Sequence, residues 1–426
     1  MHYAYKCMRH SVKISLTIVS AIILVAGAIV CVLRWKAWFG NQPEAEYAVP
    51  VYPNNIVLSY GEQATNSRIV SWRADTMLQL SAVRLLSWSR RDTTEYAAEG
   101  SIVESRSGKA AFYRADMDSL PSGNYSYCCT TGDNSSEWYP LFVPDRQAAN
   151  RMQQFIVFGD IQDKGGGASE ALFANAFSDR VVGGNNLAAM VFVGDIIERP
   201  TDKYWQVFFS AAGDMTARLP VIAATGNHEY LKGLRKSLDS RWIHVFGNPA
   251  NGPQRFLYTT YYTDFPQCRF IVLDTDALNG FSDFTVMQTW LEKVLKERKN
   301  AWKIVVMHHP VYSAGKNRNN ALVRFAFRCT LQSADLVFCG HDHNYMRRTE
   351  DGGKPVYILT NSSEKYYAPK DEIKADCHAS YMRFFESVKV YKDSVRVETW
   401  NAESDSVFDS ALVVRMPKTN IIRTIE

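Results

Sequence analysis

No pair of cysteines stands at zinc-finger spacing and no run of closely spaced carboxylates forms a calcium loop, so neither a thiolate cage nor an EF-hand type of site is encoded. The 8 cysteines declare no disulfide framework. Cys128 and Cys129 are adjacent and on a strand would point to opposite faces, while Cys7 and Cys31 fall in or beside an apolar stretch. Cys268, Cys329, Cys339 and Cys377 leave one or two bridges open without assigning them, and single buried thiols are the default. No Gly-Lys-Ser/Thr follows Gly165-Gly166-Gly167, which excludes a P-loop; the glycines suit a loop that passes close to a ligand. A formal charge of +4 over 426 residues, with no basic stripe interleaved with aromatics, gives no nucleic-acid groove. Internal repeats and low-complexity tracts are absent.

Long hydrophobic runs are also scarce, with one exception. Residues 14–33 form an uncharged, mostly apolar stretch of about the ~20 residues that cross a hydrocarbon core as a helix. Lys6, Arg9 and Lys13 precede it and Arg34 and Lys36 follow, a modest bias that favours the amino terminus inside and the remainder outside, periplasmic or extracellular. Its length favours an uncleaved signal anchor over a cleaved signal peptide, which would leave a secreted protein. Val30 before Cys31 is not the small residue that lipoprotein processing needs.

Past a polar linker at 40–50, short β-forming runs at 56–60, 68–72, 83–89, 110–113, 125–129 and 138–143 are separated by turn residues such as Ser122-Gly123-Asn124, the spacing of a β-sandwich. From Gln153 onward, strands alternate with helical patterns at 168–177, 204–212 and 284–299, the signature of a layered α/β domain. Residues 387–400 and 410–415 read as a hairpin closing the second sheet. The expected organisation is therefore a stub, transmembrane helix and linker over 1–46, a small all-β sandwich over 47–149, and a two-sheet α/β sandwich domain over 150–418.

Chemistry is concentrated at the ends of the α/β strands. Apolar runs at 155–158, 190–193, 221–224, 304–307 and 336–339 are each followed by a polar block: Gly159-Asp160-Ile161-Gln162, Gly194-Asp195-Ile196-Ile197-Glu198-Arg199, Gly226-Asn227-His228-Glu229, His308-His309-Pro310 and Gly340-His341-Asp342-His343. In an open α/β sheet the carboxyl edge of the strands is where ligands bind. Asp, Asn and His together suit two Zn, Mn or Fe ions rather than Ca. Two cations a few ångströms apart repel, so an anionic ligand must lie between them. Asp195 is the natural bridge. Asp160 and His343 would complete one ion, and Asn227, His308 and His341 the other.

These five blocks, in this order and ending in Gly-His-x-His, resemble the calcineurin-like metallophosphoesterase superfamily and, within it, the purple acid phosphatases. The resemblance spans nearly everything after Asn54 and includes the segment Gln288-Thr289-Trp290-Leu291-Glu292-Lys293. It implies hydrolysis of small phosphate esters by a hydroxide held on the metal pair, with His228 protonating the leaving group. It also implies that 47–149 is fibronectin type III-like, with Arg68-Ile69-Val70-Ser71-Trp72 as its second strand. A phosphomonoesterase is the first reading. A phosphodiesterase of nucleotide, glycerophosphoryl or lipid head-group substrates is the nearest alternative, and a surface binding protein with a vestigial metal site is the alternative of another class.

Three positions depart from the purple enzymes. Glu198 occupies the place of their iron-binding tyrosine, and with Arg199 it looks instead like the protein Ser/Thr phosphatase version of the block, where the acid orients the catalytic histidine and the arginine grips phosphate. Gln162 replaces the histidine or glycine of relatives, either as a weak neutral ligand or as a hydrogen-bonding support. His309, next to His308, is expected to face substrate or to pack at the sheet edge. Without a tyrosinate ligand, the iron-loaded protein should be colourless. An intense visible charge-transfer band in its absorption spectrum would contradict this reading.

Overall fold

The computed structural model describes residues 2–145, 147, 151–183, 187–299, 301–350, 352–404 and 406–415. The expected domain boundary at 149/150 and the expected end at 418 lie outside them. Two compact units are present: Met1–Pro43 with Leu231–Ser237, and Glu44–Tyr230 with Leu238–Glu426. In the first, the helix His2–Phe39 contains a segment, Ser15–Phe39, long and apolar enough to cross a membrane.

The second unit is built on two large sheets. Parallel strands Gln153–Phe158, Leu187–Phe192 and Val221–Ala223 centre a ten-stranded sheet. Parallel strands Cys268–Leu273, Trp302–Met307, Leu336–Cys339 and Val356–Leu359 centre a seven-stranded one. Both faces of these strands are covered, which is why they read as unbroken apolar runs. Phe155 and Val157 point between the sheets to meet Phe270, Val272, Ile304 and Val306, while the alternate residues Ile156 and Phe158 point outward to a helical layer that includes Leu172, Phe173, Trp205 and Phe208. On the far side, Ile271, Val305 and Val337 pack on Met287, Leu291 and Phe327 from the helices Phe281–Lys296 and Ala321–Leu331. Each such fully buried side chain contributes on the order of 1.5–3 kcal/mol.

Two placements could not be anticipated from local pattern. Within the all-β region, Asn54–Tyr60, Arg68–Arg73, Gly108–Met117 and Glu99–Ser105 extend the ten-stranded sheet, with Ser59 registered in parallel against Val221. A second sheet of five strands, centred on Ser81–Ser87 and Gly123–Thr131, stacks on them through Val70, Trp72, Val83, Leu85 and Tyr127. The C-terminal strands Phe384–Val390, Ser394–Asn401 and Ser406–Val414 were expected on the second sheet, but they join the first, beside Gln153–Phe158. Alternation fixes which face a strand buries, not which neighbour it pairs with. Among the described cysteines, Cys31, Cys128, Cys129, Cys268, Cys329, Cys339 and Cys377 are all free thiols.

One buried charge carries a stability consequence. Glu386, on Phe384–Val390, is 0% exposed, and burial pushes its pKa up to about 8, with the Thr360 hydroxyl acting in the opposite direction. Its folded pKa lies above its unfolded value, so its contribution is fully present below about pH 4.5 and is lost as pH rises through about 8. Glu386→Gln should therefore gain on the wild type between pH 5 and pH 8.5, by on the order of 5 °C in thermal midpoint. A midpoint difference that stays constant across this range would contradict it.

Candidate metal centre

All five polar blocks emerge at the carboxyl ends of parallel strands, and the six nominated donors converge there. Asp160, Asp195, His308 and His343 are at most 1% exposed, whereas Asn227 and His341 are half-buried. One candidate donor atom from each of Asp160, Asp195 and His308 lies within 4.8 Å of the other two. His308 Nε2 is 3.4 Å from Asp195 Oδ1, 3.3 Å from Asn227 Oδ1 and 3.2 Å from His341 Nδ1. His343 Nε2 is 3.4 Å from Gln162 Nε2, which is 3.5 Å from Asp195 Oδ2.

Backbone carbonyls and amides set the orientation of these groups. His308 Nδ1 faces the Val193 carbonyl at 3.2 Å, and His343 Nδ1 faces Asn361 Oδ1 at 3.0 Å, so protons held there leave both Nε2 lone pairs directed inward. Asp160 accepts the His341 N–H on both oxygens, and Asp195 Oδ1 accepts the His228 N–H at 2.8 Å. Asp195, His341 and His343 sit at φ of 50°, 76° and 49°, a conformation that costs energy for residues other than glycine. Glycine is required where the loops cross: a Cβ on Gly226 would lie 2.2 Å from Asp195 N.

The inward-facing oxygens and imidazole nitrogens outnumber the donors between them, which are the Gln162 amide NH₂ facing Asp195 and His343 and the His308 proton between the two carboxylates. Burial pushes Asp160 up to about 7, partly offset by His308 and reinforced by Asp195, while His308 and His228 outweigh burial to hold Asp195 well below the carboxylate range. Burial also opposes the His308 proton, but Asp195 and Asp160 overcome it and raise its pKa to about 10. Gln162 Oε1 is buried without a hydrogen-bond partner. Converging oxygen and imidazole lone pairs, two carboxylates and an orphaned amide oxygen fit a pair of borderline cations.

The remaining nominated residues divide. His228 lies in the cleft, its Nδ1 2.5 Å from the Glu198 carbonyl and its Nε2 3.9 Å from Asp195 Oδ2. The expected carboxylate partner is therefore replaced by a main-chain oxygen: the half-exposed Glu198 side chain makes no hydrogen bond among the described residues. Arg199 is exposed, and its guanidinium likewise makes no contact with the donors. His309 stands at the rim, its ring 4.3 Å from that of His341 and its Nδ1 3.0 Å from Thr275 Oγ1.

Sequence reading passed over the residue that ties the blocks together. Glu229 is 1% exposed and accepts N–H groups from Asp195 (3.0 Å), Ile196 (2.8 Å), Ile197 (3.2 Å) and Gly226 (2.6 Å). Its place in the Asn-His-Glu block was a signal, but its partners lie about thirty residues away, at 195–197. Also missed were Asn361 and Ser363 behind His343, and Arg318, Lys365 and Tyr367 in front.

Fold and site together define the class: a two-sheet α/β protein that gathers cation donors where its strands end. Residues 154–345 match the family model of the calcineurin-like phosphoesterases, and the chain is similar in sequence to purple acid phosphatases. It is 29% identical to Purple acid phosphatase 3 of Arabidopsis thaliana over 140 residues, 29% of this chain and 38% of that protein. With Purple acid phosphatase 4 of Arabidopsis thaliana it shares 26% identity over 158 residues, 33% of this chain and 46% of that protein. The matched region thus spans less than half the length of either curated relative. The solved structure of PhoD has the same fold, with a TM-score of 0.56 at 12% identity, covering 87% of this chain and 90% of that one.

Because each unsatisfied buried donor costs about 1–3 kcal/mol, Glu229→Gln, which turns an amide NH₂ toward two of the four N–H groups, should lower the thermal midpoint by about 5 °C. Metal affinity should fall by about 10–100-fold. Calorimetry with a metal titration checks both; an unchanged midpoint and affinity would remove Glu229 from this role.

Proposed function

We propose that the protein is a metal-dependent phosphoester hydrolase acting on phosphomonoesters. The observation that carries this reading is the convergence of Asp160, Asp195, Asn227, His308, His341 and His343 on one pocket at the sheet edge. Asp160, His343 and a bridging Asp195 would hold one ion, and Asp195, Asn227, His308 and His341 the second, with Gln162 close enough to join the first. Zn, Mn or Fe suits this donor set. When bound, such a pair would activate a water for attack on phosphorus and neutralise charge on the phosphoryl oxygens.

The protein's own groups supply the rest. His228 Nδ1 is anchored by the Glu198 carbonyl, which turns Nε2 into the cleft, where it accepts from Lys365 Nζ; with substrate bound and Lys365 turned to the phosphoryl oxygens, the imidazolium form would give its Nε2 proton to the departing alkoxide. His309, steadied by Thr275, borders the opening beside His341 and is available to substrate. Arg199 is exposed, and reaching substrate would require it to swing inward. The region 47–149 is read as a fibronectin type III-like support that contributes no catalytic group, and Ser15–Phe39 as a membrane anchor holding the hydrolase outside the cytoplasm.

Phosphate release from aryl and alkyl monoesters tests the proposal. Activity should disappear on chelation and return with Zn, Mn or Fe. His228→Ala should lower kcat by about 10²–10⁴-fold for alkyl esters, and by less for activated aryl esters, with metal content unchanged. Turnover that survives chelation would refute the hydrolase reading; equal loss for both leaving groups would refute the acid role.

A further inference from the structure

Two cations flank the donor set without carboxylate partners. Arg318, in the loop before Ala321–Leu331, donates Nη1 to His341 Nε2 at 2.8 Å. Lys365, after the strand Val356–Leu359, donates Nζ to His228 Nε2 at 3.2 Å. Between them stands Tyr367: the Arg318 guanidinium carbon lies 4.2 Å from its ring centroid and Lys365 Nζ 5.6 Å, and the ring meets His343 edge-on at 4.8 Å.

The loops carrying these groups are fastened to each other and to the donors' neighbours. Lys316 N–H donates to Ala368 O at 2.7 Å and Lys370 N–H to Ala314 O at 2.8 Å. Asp342, between His341 and His343, accepts the N–H groups of Ala314 and Gly315, and Asn361, behind His343, donates to the carbonyls of Ser363 and Lys365. The positions of both cations are thus set by the same framework as the donors.

Charge pairing elsewhere in the unit is different. Arg73, Arg241 and Arg269 each meet a carboxylate at 2.6–2.7 Å. Arg318 and Lys365 have none within 4.0 Å among the described residues and rest against single imidazole nitrogens, which leaves most of their N–H groups available. A guanidinium fork and an ammonium on either side of a cation pocket suit an anion with several free oxygens.

We infer that Arg318 and Lys365, spaced by Tyr367, grip the non-bridging oxygens of a terminal phosphoryl group and select dianionic phosphomonoesters over diesters. A monoester presents three such oxygens and two negative charges; a diester presents two and one. The inference rests on the phosphohydrolase reading for its substrate class, but the anion site itself does not require turnover.

The test uses the full chain, Zn-loaded in detergent, with inorganic phosphate as the calorimetric probe and kcat/KM measured on an aryl monoester and a bis-aryl diester. Arg318→Met and Lys365→Met should each weaken phosphate binding about tenfold or more and lower the monoester-to-diester ratio about tenfold. The conservative variants Arg318→Lys and Lys365→Arg should recover part of both and serve where the methionine variants do not fold. Lys316→Met, which removes an exposed lysine 53% accessible and two residues from Arg318, should change neither. Phosphate affinity and ester ratio within twofold of wild type in the Arg318 and Lys365 variants, or an equal loss in Lys316→Met, would overturn the inference. If neither ester is hydrolysed, the hydrolase reading fails while phosphate affinity still decides the anion site.

Discussion

Asp160 and Asp195 are 0% and 1% exposed in one pocket, a placement that costs several kcal/mol per charge unless positive charge matches it. Much of the surrounding framework serves that pairing. His308 lies 3.5 Å from one carboxylate and 3.4 Å from the other, and their field holds its proton. Around them, imidazole and amide lone pairs face inward while protons point to main-chain carbonyls or to Asn361. A cation pair would take the place of the His308 proton and the Gln162 NH₂ that face these oxygens here.

The scaffold makes such a cluster affordable by fixing the loops before any ligand arrives. Each donor is one to four residues beyond a strand whose two faces are buried, so its main chain is set by the sheet. Glu229 then binds the 195–197 turn to the 226–229 turn, and Asp342 binds the 314–315 turn beneath His341 and His343. Strain at Asp195, His341 and His343 persists because these bonds over-determine it.

The parts legible in the sequence are those whose physics is local. Apolar runs such as Phe155-Ile156-Val157-Phe158 announce buried strands, and the polar blocks after them name the donors by residue type. Pairing between distant segments was not legible. Nothing near residue 59 indicates that Asn54–Tyr60 lies parallel to Val221–Ala223, and the C-terminal hairpin was assigned to the wrong sheet for the same reason. Arg318 and Lys365 look like ordinary loop cations until the 314–316 and 368–370 segments are seen to bind each other. Glu198 illustrates a subtler limit: its carboxylate was expected against His228, and its main-chain carbonyl lies there instead.

The central claim is that one shared carboxylate organises two ions. Metal analysis of the purified full chain combined with anomalous diffraction tests it most directly: two ions per chain roughly 3.5–4 Å apart, both touching Asp195, with Asp195→Asn losing at least one of them. A single ion, an empty pocket in the presence of excess Zn, Mn and Fe, or two ions of which only one reaches Asp195 would contradict the account.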